Sequence, residues 1–216
     1  MWFLQSGITF QHLVARLSAI IVIVFFSLPF HEYIQGLAAD KLGDDTAKLS
    51  GRLTLDPSVH FSGFGAIWLL LFDYGWAQRI PINHYNLKNP KRDMALIGIA
   101  GPVSYIISAM LGGILLNFVP LLINKNLVHA IGLFIYYYIS INISLASFNL
   151  IPIYPLDGFK IIQAFLPENI LEKFYSNFYR ITWMLIILMA FGFFSPFMSF
   201  VERFLYGLIM RTTCFV

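Results

Sequence analysis

Residues 94–124, MALIGIAGPVSYIISAMLGGILLNFVPLLIN, and residues 126–156, NLVHAIGLFIYYYISINISLASFNLIPIYPL, are two runs of 31 residues without an Asp, Glu, Lys or Arg, separated only by Lys125. A helix needs about 20 mainly apolar residues to cross a hydrocarbon core about 30 Å thick. Both runs exceed that length. The polar turn Asn124-Lys125-Asn126 between them predicts two antiparallel membrane helices, over about 94–123 and 127–150. Downstream, Ile181 to Val201 adds a charge-free run of 21 residues, read as a helix over 181–201. Upstream, Leu17 to Phe30 supplies only 14 apolar residues before His31-Glu32, but Tyr33 to Ala39 restores the length, and a membrane helix is expected over about 12–40. Residues 1–11 carry no Lys or Arg, which favours a retained helix over a cleaved signal peptide. Pro57 to Phe72 is charge-free for 16 residues yet contains His60, Gly63 and Gly65. That stretch fits a re-entrant or interfacial segment, around residues 57–87, better than a full crossing.

Composition agrees with this pattern. Of 216 residues, 58% are apolar and 12% charged, against about 45–50% and about 25% in soluble domains, and the mean hydropathy is +0.74. The fold class expected is an all-α polytopic membrane protein, a single membrane-embedded domain over 1–216. The net charge of +3 is small and scattered, so no nucleic-acid partner is implied. Cys214 is the only cysteine, which excludes an intramolecular disulfide and a Cys-based metal cluster. Seven Lys and Arg lie between residues 41 and 92 and three between 157 and 180, whereas the turn between the two long helices has only Lys125. By the positive-inside rule, the first two regions face the cytoplasm of a multi-pass cell-membrane protein. The segment from Glu202 to Val216 carries no comparable signal.

Ionisable groups inside such a chain are the functional candidates, because a carboxylate at the bilayer centre costs at least about 2.5 kcal/mol. Glu32 follows His31 within the first apolar segment, and Asp157 ends the second 31-residue run. Asp157 beside Gly158 and after two prolines is equally the chemistry of a turn or helix cap at the membrane surface. His31-Glu32-Tyr33-Ile34-Gln35 has the layout of the zinc motif H-E-x-x-H except at its last position. Helical spacing puts residues 31 and 35 on one face, one turn apart. In that motif Glu32 is the general base and not a ligand.

The order of these elements resembles the site-2 protease family of intramembrane zinc metalloproteases, in the compact form without an added soluble domain. The resemblance spans roughly residues 20–165: His31-Glu32; Lys41 to Lys48 and Gly51 to Leu55; Pro57 and His60; Gly75-Trp76-Ala77 and Pro81-Ile82-Asn83; Asn89 to Met94; Ala100-Gly101-Pro102; and Asn149 to Gly158. It implies one Zn2+ held by His31, by Asp157 and by position 35, where Gln35 stands in place of the second histidine of the motif. A neutral amide oxygen is a poorer donor than imidazole, so metal affinity is expected to fall. The next histidine, His60, is a further candidate ligand, although Phe61-Ser62-Gly63 departs from the Asp-Pro pattern expected after it. The resemblance also places Asn149 near the site, as a hydrogen-bond donor to the oxyanion or as a satisfied polar residue between helices.

The function implied is an intramembrane zinc metalloendopeptidase that cleaves membrane-spanning or membrane-associated substrates near the cytoplasmic face. Its partners would be a substrate helix and the lipid bilayer; the oligomeric state is left open. The extended stretch Gly75 to Asn83 is expected to offer an edge that pairs with unwound substrate. Two alternatives are a weakened or inactive relative that binds transmembrane helices without cleavage, and a small proton-coupled transporter with Glu32 and Asp157 as relay acids. Against the transporter stands the lack of repeated halves with paired broken helices.

Overall fold

The computed structural model describes residues 9–121 and 124–213, so Cys214 and the last two residues of the expected 94–123 segment lie outside the described residues. Among the described residues the chain is helical with no strand. Its principal helices are α1 (Phe10–Leu42), α2 (Gly63–Phe72), α3 (Pro90–Leu116), α4 (Lys125–Asn149), α5 (Asp157–Ile162), α6 (Glu168–Ser176), α7 (Phe178–Ala190) and α8 (Ser195–Thr213). Three spans, Phe10–Leu42, Pro90–Leu121 and Lys125–Asn149, are long and apolar enough to cross a membrane, and the bent pair α7 and α8 makes up to four.

α1 runs through a π-helical stretch at Ile23–Ser27, where Leu28 N–H bonds the carbonyl of Ile23, five residues back. Pro29 follows immediately and has no N–H for the carbonyl of Phe25, so the regular ladder is interrupted there by chemistry. The extra residue in that turn re-aims the face that carries His31, Glu32 and Gln35. The helix ends at Gly43, whose φ of 114° is left-handed and whose N–H reaches back to Ala39 and Asp40.

α3 and α4 form the antiparallel pair expected on either side of Lys125. They approach closely through small residues, and a Cβ at Gly112 would lie 2.8 Å from Ile139. On its outer side α3 leaves Val103, Ile107, Leu111 and Ile114 exposed at helical spacing, an apolar stripe suited to lipid. α2 is short and apolar, and its tip Asp73 pairs with Arg16 of α1.

Residues 181–201 do not form one helix. α7 and α8 are bent by 75° around Gly192, whose φ is 71°, and Pro196 in the first turn of α8 lacks the N–H a continuing helix would need. α8 then runs to Thr213, so Glu202 onward is helical, with Ser144 of α4 donating to Glu202 at 2.9 Å.

The loop after α1 is locked by one carboxylate. Asp44 is fully buried and accepts from Asn83 N–H at 2.7 Å, from the Asn86 amide at 3.0 Å, and from the Thr46 hydroxyl and N–H. Burial alone would raise its pKa, but the hydrogen bonds from Thr46, Asn83 and Asn86 outweigh it and hold the group below its usual value.

Candidate active site

The second half of α1 brings His31, Glu32 and Gln35 into the interior, each no more than 5% exposed. Asp157 arrives from the N-terminal turn of α5, which packs on α3 through two glycines. A Cβ at Gly98 would lie 2.7 Å from the Cβ of Lys160. One at Gly101 would lie 2.2 Å from Gln35 Nε2, 2.3 Å from Asp157 Oδ2 and 2.7 Å from His31 Cε1. Gly101 is therefore the floor against which the three side chains converge. Only a residue without a Cβ leaves room for them.

Asp157 Oδ2 stands 3.2 Å from His31 Nε2, and Gln35 Nε2 stands 3.3 Å from the same nitrogen. The His31 ring is oriented by two neighbours. It stacks on Tyr105 with centroids 4.5 Å apart, and its Nδ1 is 3.5 Å from Ser104 Oγ. The Ser104 hydroxyl donates to the Gly101 carbonyl at 2.6 Å, so towards His31 it can only accept. Nδ1 therefore faces Ser104, and Nε2 faces Asp157 and Gln35. Asp157 Oδ2 is buried, and apart from the His31 Nε2 that it faces it has no hydrogen-bond partner.

A carboxylate and an imidazole nitrogen this close are reconciled by a proton on Nε2 or by a metal cation between them. Ligand atoms about 2.0–2.1 Å from a tetrahedral Zn2+ lie about 3.3 Å from one another, which matches the separations here. His31 and Asp157 therefore fit the ion in donor type and spacing. Gln35 fits in position but presents its amide nitrogen, while its oxygen accepts from Lys160 Nζ at 2.7 Å. The same ammonium donates to Asp157 Oδ1 at 3.0 Å.

Glu32 does not touch this group. Its Oε2 accepts from Ile80 N–H at 2.9 Å, on the extended stretch that follows α2. A cavity of about 10 Å3 joins Glu32 to His31, Gln35, Tyr105, Asn149 and Asp157, about the volume that holds one water. Asn149 lies on its wall, 8% exposed, and donates to the Leu145 carbonyl at 2.9 Å. His60 stands apart from the group, buried with its Nε2 2.9 Å from the Thr54 carbonyl. Among the described residues no three His, Cys, Asp or Glu side chains gather as a metal site.

The extended stretch is less open as an edge than its sequence suggests. Gln78 N–H bonds the His60 carbonyl at 2.7 Å, Ile80 N–H bonds Glu32, and Arg52 donates to the Gln78 and Arg79 carbonyls at 2.7 and 3.1 Å. On its other side lies a larger cavity of about 640 Å3. Its walls include Trp76 to Arg79 and, across from them, Phe178, Thr182, Leu185 and Met189 of α7. Lys160, Tyr105 and Ser104 went unnoticed in the sequence. Lys160 alone had a signal, standing three residues after Asp157 on the same helical face.

Fold and polar centre together define a helical membrane protein with a buried His, Glu and Asp constellation of hydrolytic type. A family model, peptidase family M50, matches residues 111–193, the part that carries Asn149 and Asp157. The chain is also 37% identical over 166 residues to the Bacillus subtilis (strain 168) protein named "Putative zinc metalloprotease YwhC", covering 71% of this chain and 72% of that one. No solved structure matches. The chain belongs to peptidase family M50, the site-2 protease family of membrane metalloproteases.

Proposed function

We propose that the protein is an intramembrane zinc endopeptidase of the cell membrane that cuts membrane-spanning or membrane-associated substrates near the cytoplasmic face. The observation that carries this reading is the buried Asp157 Oδ2 3.2 Å from His31 Nε2, a carboxylate and an imidazole at ligand spacing, with Glu32 on the same small cavity. His31 and Asp157 would hold the ion. Zinc, when bound, supplies a Lewis acid and lowers the pKa of water towards 7. Glu32 takes the proton from the attacking water and returns it to the leaving amine. The Ile80 N–H holds its carboxylate in place for both transfers. Asn149 spends one amide hydrogen on Leu145, and the other is available to the carbonyl oxygen as it gains charge.

Depth supports the cytoplasmic cleavage site. His31 stands 21 residues after Phe10, about 32 Å along the helix axis at 1.5 Å per residue, roughly the full thickness of the hydrocarbon core. The 640 Å3 cavity between Trp76 to Arg79 and α7 shares Trp76, Ala77 and Arg79 with the small cavity around Glu32, and would receive the unwound substrate. A second reading, helix binding without cleavage, is favoured by one observation, the amide nitrogen that Gln35 turns towards His31.

The test is cleavage of a single-span substrate in proteoliposomes, with and without chelator. Loss of cleavage on chelation and its return with zinc is the expected result. Cleavage that survives exhaustive chelation overturns the metallopeptidase reading, and binding without any cleavage favours the second.

A further inference from the structure

Resting on the zinc-site reading above, we infer that Lys160 is a positioning residue that holds the Gln35 amide oxygen away from the metal position, so that the third protein ligand is withheld while this ammonium is in place. Lys160 Nζ donates to Gln35 Oε1 at 2.7 Å and to Asp157 Oδ1 at 3.0 Å. An ammonium has three donors and no acceptor, so it can face only the oxygen of the amide. Turning the amide over would set its NH2 against the ammonium, donor to donor. The same contact therefore fixes the other end, and Nε2 faces His31 at 3.3 Å. An amide nitrogen offers a metal no lone pair; a carboxamide ligates through oxygen.

The placement of Lys160 is built in. It follows Asp157 by three residues on α5, its side chain is only 16% exposed, and its stem lies against Gly98, where a Cβ would approach to 2.7 Å. The ammonium also occupies one oxygen of Asp157, leaving Oδ2 as the oxygen that faces His31. Gln35 and Lys160 thus act as a pair. A histidine at position 35 would have no oxygen for Lys160 to hold.

The experiment measures Co2+ and Zn2+ affinity of the full-length protein in micelles, with the Co2+ visible spectrum reporting coordination. The variants are Lys160→Met, Lys160→Arg, Gln35→His and Gln35→His/Lys160→Met, each checked for folding by gel filtration and helical circular dichroism. Lys160→Met is expected to bind about 10- to 100-fold more tightly than the unaltered chain, the range over which partners of a ligand act, with a more intense four-coordinate spectrum. Lys160→Arg, which still donates to both oxygens, should bind as the unaltered chain does. In the Gln35→His background Lys160→Met should gain by a clearly smaller factor.

Lys160→Met binding no more tightly overturns the inference, and so does an equal gain in both backgrounds, which would mark simple charge repulsion. Should Lys160→Met not fold, Lys160→Leu replaces it, with the same expectations. Tight binding by Gln35→His, with no gain when Lys160→Met is made in the chain that keeps Gln35, discards this inference alone. Failure of every variant to bind metal discards the zinc reading and this inference together.

Discussion

At the scale of single residues, the site depends on what each side chain leaves unsatisfied. Glu32 and Asp157 are both buried carboxylates, yet only Glu32 receives a backbone donor, from Ile80, while Oδ2 of Asp157 receives none. In the function proposed above the first moves the proton and the second holds the cation. Glu32→Gln keeps an oxygen for Ile80 N–H but has no basic carboxylate, so peptide cleavage should fall by about 10^2- to 10^4-fold while zinc content and thermal stability stay unchanged. Metal analysis beside a turnover assay checks this, and equal cleavage by the variant would remove Glu32 from the chemistry. Gly101→Ala should do the opposite. Its Cβ would press within 2.3 Å of both Gln35 and Asp157, so zinc should be lost and stability reduced by about 1–3 kcal/mol, read from metal content and melting temperature. The sequence made His31, Glu32, Gln35 and Asp157 legible because ionisable and amide groups stand out against apolar runs. Lys160, Ser104 and Tyr105 were not legible in the same way, since their roles come from helix packing and not from spacing along the chain.

At the scale of elements, a few residues decide where each helix stops. Charge-free length located α3 and α4, whose boundaries coincide with Pro90 and the Asn124 cap. The same rule ran past the break at Gly192, because counting charges ignores the left-handed turn and the missing N–H of Pro196. The Asp44 lock shows how a loop that carries no regular structure is still ordered. Asp44 has a folded pKa below its ordinary 3.8, so its contribution is fully present above that value and is lost as pH falls through the lowered one. Protection of the Thr46 and Asn83 amides against exchange, taken relative to their intrinsic rates, should therefore be high at neutral pH and fall in acid below that ordinary value. An Asp44→Asn variant should exchange faster at neutral pH and lack this acid dependence. An unchanged profile in the variant would show that the lock is elsewhere. Because Asn83 follows the stretch that supplies Ile80 to Glu32, loosening it should also slow cleavage.

At the scale of the whole molecule, the 3.2 Å contact between His31 of α1 and Asp157 of α5 constrains the topology. α1 carries His31 about 32 Å from Phe10, and α5 begins where α4 has just ended at Asn149. If α3 and α4 each cross the bilayer once, the end of α4 returns to the side where α3 began, which is the side of the 41–92 loop. Asp157 can then meet His31 only if both loops lie on one face, and by the positive-inside rule the seven Lys and Arg of residues 41–92 predict that this face is cytoplasmic. Single cysteines introduced at Ser50, Lys173 and Asn126 of a Cys214→Ser chain test this in intact cells with an impermeant thiol reagent. Ser50 and Lys173 positions should react only after the membrane is opened, and the Asn126 position should react from outside. External labelling at Ser50 together with protection at Asn126 would invert the topology and move cleavage to the opposite face. External labelling at Lys173 but not at Ser50 would separate α5 from α1 across the bilayer, which the 3.2 Å contact between His31 and Asp157 forbids.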